Sequence, residues 1–250
     1  MVNHYFGTIG DDETEFMDRC YVSQRDYNVT LDGMRTMMED AVSPYLESYG
    51  VQQLEETGKG GRIGGRLTKN VRKGRKGEVL VLFGGKGAGK STFIKRLLQH
   101  NPPPWLREHS IIAIIDLLRV PEEASMIRGA IWDGLVDALD KDSVLDQDRE
   151  TLLKELFSDK FEVSIRQELS GLKKDSDAYN TTLNALVAQW KADKVYLAGR
   201  LVNRWKEQSK GVVVVIDNTD QYSGPNQDFC FTSAQDISNT LGCITLLSMR

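Results

Sequence analysis

The apolar residues of this chain form short unbroken runs that alternate with longer, regularly spaced series. The runs at 79–83, 111–115 and 212–216 are apolar at every position, and a fourth run at 244–247 contains one threonine. Runs that are apolar on both faces are typical of buried strands in a parallel sheet. Between them, apolar residues recur every three or four positions, as in helices that cover such a sheet. We therefore predict an α/β fold of three layers, with a mainly parallel sheet between helices.

The spaced series predict the positions of these helices. The predicted helices are 91–98, one that starts at Pro121, one or two within 143–173, a long stretch at 179–205, and 229–240. Tyr179, Trp190 and Trp205 occupy apolar positions of the long stretch. Aromatic residues at helical spacing are typical of a core, and we expect these three to be buried rather than to bind a cofactor.

The chain divides into three regions by composition. Residues 1–58 are mixed and include a predicted helix after Thr30, and residues 78–250 contain the runs described above. Between them lies a basic, glycine-rich linker at 59–77, in which residues 59–76 hold eight Lys or Arg, five glycines and no acidic residue. No aromatic residue interrupts these charges to stack on a base. We favour a flexible linker, and the alternative is a basic loop that lies near a nucleotide or contacts nucleic acid.

Overall composition indicates an ordinary globular protein. The 250 residues are 40% hydrophobic and 27% charged, and the net charge of −4 argues against coating nucleic acid with the whole surface. The three cysteines, Cys20, Cys230 and Cys243, are too scattered for a disulfide framework, so we expect reduced, buried thiols. The N-terminus lacks the features of a secretory signal, and no apolar run is long enough to span a membrane. We expect a cytoplasmic protein.

A phosphate-binding motif follows the first predicted strand. Residues 84–91 read GGKGAGKS, a complete match to G-x-x-x-x-G-K-[ST], and they precede a predicted helix. Glycines let successive backbone N–H groups point at phosphate oxygens, and the helix adds its positive end. The predicted nucleotide contacts are Gly84, Gly85, Lys86, Gly87, Ala88, Gly89, Lys90, Ser91 and Thr92. We expect Lys90 to project into solvent before nucleotide binds and then to contact the β- and γ-phosphates, and Ser91 to be a Mg²⁺ ligand.

Carboxylates follow the second and third predicted strands. Asp116 ends the run at 111–115, and Asp217 ends the run at 212–216. The carboxyl edge of a parallel sheet is where ligands bind, so Asp217 is predicted to assist Mg²⁺ binding. The next carboxylate, Asp220, either orients the attacking water or caps the following turn. Both roles stay open at this point.

These motifs together resemble the AAA+/STAND branch of the P-loop NTPases, which includes the KAP-type ATPases. The resemblance is carried by GGKGAGKS, by Asp116, and by the segments VVVVIDNTDQ and ITLLSMR. It implies a D-x-x-D form of the second motif, with Asp220 and Lys90 as catalytic residues. It also implies that Ser248 or Arg250 senses the γ-phosphate. Asn218 departs from the pattern, because many AAA+ ATPases have their catalytic glutamate there.

The resemblance also implies how much of the domain this chain contains and what the domain does. The family normally continues into a fifth strand and a helical lid, so we expect either a fragment, which we favour, or a minimal domain that a partner completes. The implied function is Mg²⁺-dependent hydrolysis of ATP to ADP and phosphate, as a switch or motor among other domains or subunits. The alternatives are a nucleotide-locked scaffold and a nucleic-acid-dependent ATPase that uses residues 59–76. A small-molecule kinase is less favoured, and the lack of an N-K-x-D motif favours ATP over GTP.

Overall fold

A computed structural model of the chain describes residues 77–100 and 104–250, together with Gly33. The strands in this part are β1 (Glu78–Phe83), β2 (Ser110–Asp116), β3 (Gly211–Asp217) and β4 (Ile244–Met249). They form a four-stranded sheet in the order β1-β4-β3-β2, and every pairing is parallel. The predicted α/β class and parallel sheet are confirmed. Apart from Gly33, the residues on which the predictions for 1–58 and for the basic run 59–76 rest lie outside the described part.

Helices connect these strands. The helices of the described part are α1 (Lys90–Lys95), α2 (Pro104–His109), α3 (Ala124–Leu139), α4 (Arg149–Glu155), α5 (Ser158–Arg166), α6 (Asp177–Ala192), α7 (Lys194–Glu207) and α8 (Gly224–Leu241). A π-helical turn, Arg96–His100, extends α1, and 3₁₀ turns occupy Val144–Asp146 and Thr219–Gln221. None of the described helices is long and apolar enough to cross a membrane.

Strand β3 packs against two hydrophobic clusters, one on each face of the sheet. Val213 and Val215 belong to a cluster with Phe93 and Ile94 of α1 and Leu106 of α2. Their neighbours along the strand point the other way, into a larger cluster built by α3, α6, α7 and α8. Successive residues of a strand face opposite sides of a sheet, so one strand packs against both layers. All seven residues of β3 are buried, which explains its unbroken apolar run.

Several helix predictions differ from the structure. The helix predicted at 229–240 begins earlier, at Gly224, and the one predicted at 91–98 is α1 followed by a π-helical turn. Helix α3 begins at Ala124 rather than at Pro121, and Glu123 is its N-cap. The predicted stretch at 179–205 is two helices, because Asp193 ends α6 and starts α7. Its side chain accepts a hydrogen bond from the Tyr196 backbone N–H at 3.1 Å, as an N-cap does.

The aromatic and cysteine predictions can be tested in the described part. Tyr179, Trp190 and Trp205 all lie in the core, as expected, and the Trp205 indole N–H donates to the Leu139 carbonyl at 2.8 Å. Cys230 and Cys243 are free and buried. Burial raises the pKa of the Cys230 thiol to about 12 and that of Cys243 to about 11, so both stay protonated at neutral pH. Cys20 lies outside the described residues.

Candidate functional site

A glycine loop, residues 84–89, joins β1 to α1 in the predicted order of strand, turn and helix. The Gly84 backbone N–H donates to the Met249 carbonyl at 3.2 Å, which ties the loop to β4. Gly87 and Gly89 have φ angles of 79° and 77°, in the left-handed region that side chains other than glycine rarely adopt. Residues 85–89 are exposed, so their backbone is accessible to a ligand.

Lys90, the first residue of α1, folds back over this loop. Its ammonium donates to the Gly84 carbonyl at 2.8 Å and to the Gly85 carbonyl at 3.0 Å. It also donates to Oδ2 of Asp220 at 2.8 Å, and its side chain is only 7% exposed. The expectation that Lys90 projects into solvent is therefore wrong. Burial of the charged Lys90 ammonium costs free energy, and its hydrogen bonds to two carbonyls and a carboxylate offset that cost.

The polar residues from the last position of β3 onward form a tight turn at the carboxyl edge of the sheet. Asp217 is buried, and its Oδ1 accepts from the Asn218 backbone N–H at 2.8 Å. Asn218 has a φ of 62°, and the 3₁₀ turn Thr219–Gln221 begins directly after it. Within the part of the chain described, the Asp220 carboxylate bonds to Lys90 and not to the backbone of its own turn. The turn therefore brings Asp220 to the glycine loop.

Asn218 connects three elements through its side-chain amide. The Ser91 hydroxyl donates to Oδ1 of Asn218 at 3.1 Å, and Nδ2 of Asn218 donates to Oδ1 of Asp116 at 2.7 Å. The same Asp116 oxygen accepts from the Leu118 backbone N–H at 2.9 Å. Sequence reasoning missed this connection, since it noted Asn218 only as a departure from a glutamate. An asparagine directly after a buried strand indicates only a residue that tolerates positive φ, so the sequence carried no signal for these side-chain contacts.

The turn is also fixed to the loop between β2 and α3. The Gln221 amide donates to the Leu117 carbonyl, and the Tyr222 hydroxyl lies 3.1 Å from that carbonyl and 3.0 Å from the Val120 carbonyl. Glu122 accepts from the Ser223 backbone N–H at 2.6 Å and from the Asn226 amide at 3.1 Å. Hydrogen bonds from Ser223, and then from Asn226, lower the pKa of the Glu122 carboxyl. The sequence indicated none of these contacts.

The two sensor candidates have different environments at the end of β4. Ser248 is buried, and its hydroxyl is the one buried side-chain polar atom of the described residues without a hydrogen-bond partner. Its carbonyl accepts from the Thr219 hydroxyl, which links β4 to the turn that holds Asp220. Arg250 is exposed, and its backbone N–H donates to the Gln227 side chain at 3.2 Å. Ser248 is thus the one joined to the Asp220 turn.

The predicted Mg²⁺ residues, Ser91 and Asp217, are compatible with that ion. No group of three or more His, Cys, Asp or Glu side chains in the described ranges could hold a metal by itself. Mg²⁺ is commonly bound by one or two protein oxygens, with waters and phosphates as its other ligands, so a small set suffices. The Ser91 hydroxyl donates its proton to Asn218 and keeps its lone pairs. The hydrogen bond described for the Asp217 carboxylate engages only Oδ1.

Comparisons with known proteins identify no relative of this chain. No family model matches it, no curated protein matches it, and no solved structure matches its fold. The resemblance to AAA+/STAND ATPases therefore rests on the sequence motifs alone.

Proposed function

We propose that this chain is a P-loop NTPase of the AAA+/STAND type that binds ATP with Mg²⁺ and hydrolyses it to ADP and phosphate. One observation carries the proposal. Lys90 and Ser91, the first two residues of α1, each contact a side chain of the turn after β3, more than a hundred positions away. A phosphate-binding motif and a strand-end carboxylate segment thus meet at one sheet edge, where phosphoryl transfer needs both.

Phosphate binding rests on the glycine loop and Lys90. Exposed backbone at 85–89 and two left-handed glycines supply N–H groups for phosphate oxygens. The Lys90 ammonium already lies against the loop carbonyls, where it can neutralise the charge of a bound phosphate. Ser91 and Asp217 would hold Mg²⁺, which when bound neutralises charge on the phosphates.

Asp220 is the proposed catalytic carboxylate. A γ-phosphate that takes a hydrogen bond from Lys90 competes with Asp220 for the same ammonium. The displaced carboxylate then lies next to the phosphate, where it can accept a proton from an attacking water and orient it. Asn218 cannot serve as that base, because an amide does not take up a proton at neutral pH.

The same ion pair supports a second candidate function, a nucleotide-locked module. If Asp220 is needed mainly to hold Lys90, bound ATP sets a conformation and is hydrolysed little. In either case we propose that the module acts as a switch within a larger assembly of domains or subunits. Binding nucleic acid through the basic run 59–76 is a proposal from sequence alone, since that run lies outside the described residues.

Calorimetric titration with ATP and Mg²⁺, followed by an assay of released phosphate, tests the proposal. We expect binding that requires Lys90, together with steady phosphate release. Lys154→Ala is the matched control, since that lysine is exposed on α4 and pairs with Glu150. Failure of the wild-type chain to bind ATP would overturn the proposed function. Tight binding without phosphate release, in the presence of partner domains, would support the locked module.

A further inference from the structure

Both the oxygen and the nitrogen of the Asn218 side-chain amide form hydrogen bonds with residues that are remote in sequence. Ser91 is 127 positions away and Asp116 is 102 positions away. Asparagine is common at positive φ simply because it tolerates that conformation. That preference does not explain the amide contacts, because the local hydrogen bond of the turn is made by Asp217, whose carboxylate accepts from the Asn218 backbone.

The chemistry of Asp116 fixes which way the amide faces. An ionised carboxylate only accepts hydrogen bonds, so the NH₂ end of Asn218 must point at Asp116. The carbonyl end then faces Ser91 and, being an acceptor, requires the Ser91 hydroxyl to donate its proton. The exposed Asp116 carboxylate thereby directs the hydroxyl proton of Ser91 toward Asn218.

We infer that Asn218 is a positioning residue, oriented by Asp116, that holds the Ser91 hydroxyl with its oxygen lone pairs available for a divalent cation. This inference rests on the proposed function, since Ser91 is the proposed Mg²⁺ ligand. A free hydroxyl can rotate its proton toward a cation, which weakens the interaction. Some residues orient a metal ligand by hydrogen bonding to it without touching the metal. Removing such a residue typically lowers metal affinity by about 10- to 100-fold.

The variants that test this inference can be matched closely. Asn218→Gly removes the amide and still accommodates the φ of 62°. Ser209→Gly is its control, since Ser209 has a φ of 59° in the exposed turn before β3, at the opposite end of the sheet. Asp116→Ala removes the orienting group. Asp116→Asn is the conservative variant. In wild type a single oxygen of Asp116 accepts from both the Leu118 N–H and the Asn218 amide, and the amide oxygen of an asparagine can accept both in the same way.

The readout is the ratio of ATP dissociation constants without and with Mg²⁺, measured by calorimetry on the full chain. We expect Asn218→Gly to lower this ratio by about 10-fold while metal-free affinity changes little. Asp116→Ala should lower it by a smaller factor, and Asp116→Asn should retain most of it. Ser209→Gly should leave it at the wild-type value.

Ser91→Ala separates failure of the inference from failure of the proposed function. If wild type binds ATP with no gain from Mg²⁺, or Ser91→Ala keeps the gain, the proposed metal site is wrong and the inference fails with it. If Ser91→Ala abolishes the gain but Asn218→Gly keeps it, only the role of Asn218 is overturned. An equal loss of affinity with and without Mg²⁺ in Asn218→Gly would also overturn it, since a merely structural role predicts that result.

Discussion

The ammonium nitrogen of Lys90 and Oδ2 of Asp220 lie 2.8 Å apart, although 130 positions separate the two residues. The side chains are 7% and 14% exposed, so the pair is largely removed from water. When one partner of such a pair is removed, the other charge stays buried without compensation. The charges of the lysine in the glycine loop and of the carboxylate after β3 therefore compensate each other.

Lys90→Ala should weaken both ATP binding and the fold. Loss of a charged hydrogen bond to phosphate corresponds to roughly 10- to 100-fold in affinity. The unpaired Asp220 carboxylate should also lower the free energy of unfolding, by about 1–3 kcal/mol after allowance for its partial exposure. Calorimetry measures the first effect and urea denaturation the second.

The double variant Lys90→Ala with Asp220→Ala is the control for the stability effect. It removes both charges, so it should unfold at a higher urea concentration than Lys90→Ala alone. If the single and double variants have the same midpoint, the unpaired Asp220 carboxylate carries no stability cost, which contradicts the prediction. ATP affinity should stay low in both, since neither has the lysine.

Asp217→Asn should reduce the effect of Mg²⁺ on ATP binding. Its amide oxygen can still accept from the Asn218 N–H, so the turn is expected to persist. The loss of a negative charge beside the proposed cation should weaken Mg²⁺-dependent binding by about 10-fold and leave metal-free binding nearly constant. Titrations with Mg²⁺ and with a chelator give the two affinities, and an equal change in both would remove Asp217 from the metal site.

Asp220→Asn should separate catalysis from binding. Loss of a general base typically lowers kcat by about 10²-fold or more. ATP affinity should stay the same or increase, because the neutral amide releases Lys90 from its ion pair. Single-turnover phosphate release and calorimetry measure the two quantities. Normal hydrolysis in this variant would move the role to another residue, with Asp116 the next candidate because it ends β2 on the same sheet edge.

Ser248→Ala should leave the fold as stable as wild type or more stable. The Ser248 hydroxyl is buried without a hydrogen-bond partner, so its removal relieves a desolvation cost of about 1–3 kcal/mol. Ser238→Ala is the matched control, since that buried hydroxyl donates to the Cys243 carbonyl at 2.8 Å. The control should lose about 1 kcal/mol. Urea midpoints of the two variants check the contrast, and a lower midpoint for Ser248→Ala would contradict it.

The sequence predicts the strands of this fold better than it predicts the contacts between them. An unbroken apolar run indicates a strand buried on both faces, and β3 is such a strand. Helical spacing continues across Asp193, so periodicity alone misses the break between α6 and α7. The cap at Asp193 depends on one side-chain hydrogen bond, which has no periodic signal.

The same limit applies to the candidate site. The motif at 84–91 and the aspartates at strand ends can be located from local sequence, because each belongs to one turn. The pairing of Lys90 with Asp220, and of Ser91 with Asn218, depends on the order of strands in the sheet. No local pattern encodes that order. The buried position of Lys90 could not be predicted for the same reason.

The position of β4 has a consequence for the order of assembly during synthesis. β4 lies between β1, which leads to the glycine loop, and β3, which leads to Asp217. It is also the last of the described strands in the chain, at Ile244–Met249. A ribosome that has translated the glycine loop and Asp220 has therefore produced both halves of the site without the strand that separates them. We therefore expect the Lys90–Asp220 contact to take its final geometry after β4 has emerged and entered between its two neighbours.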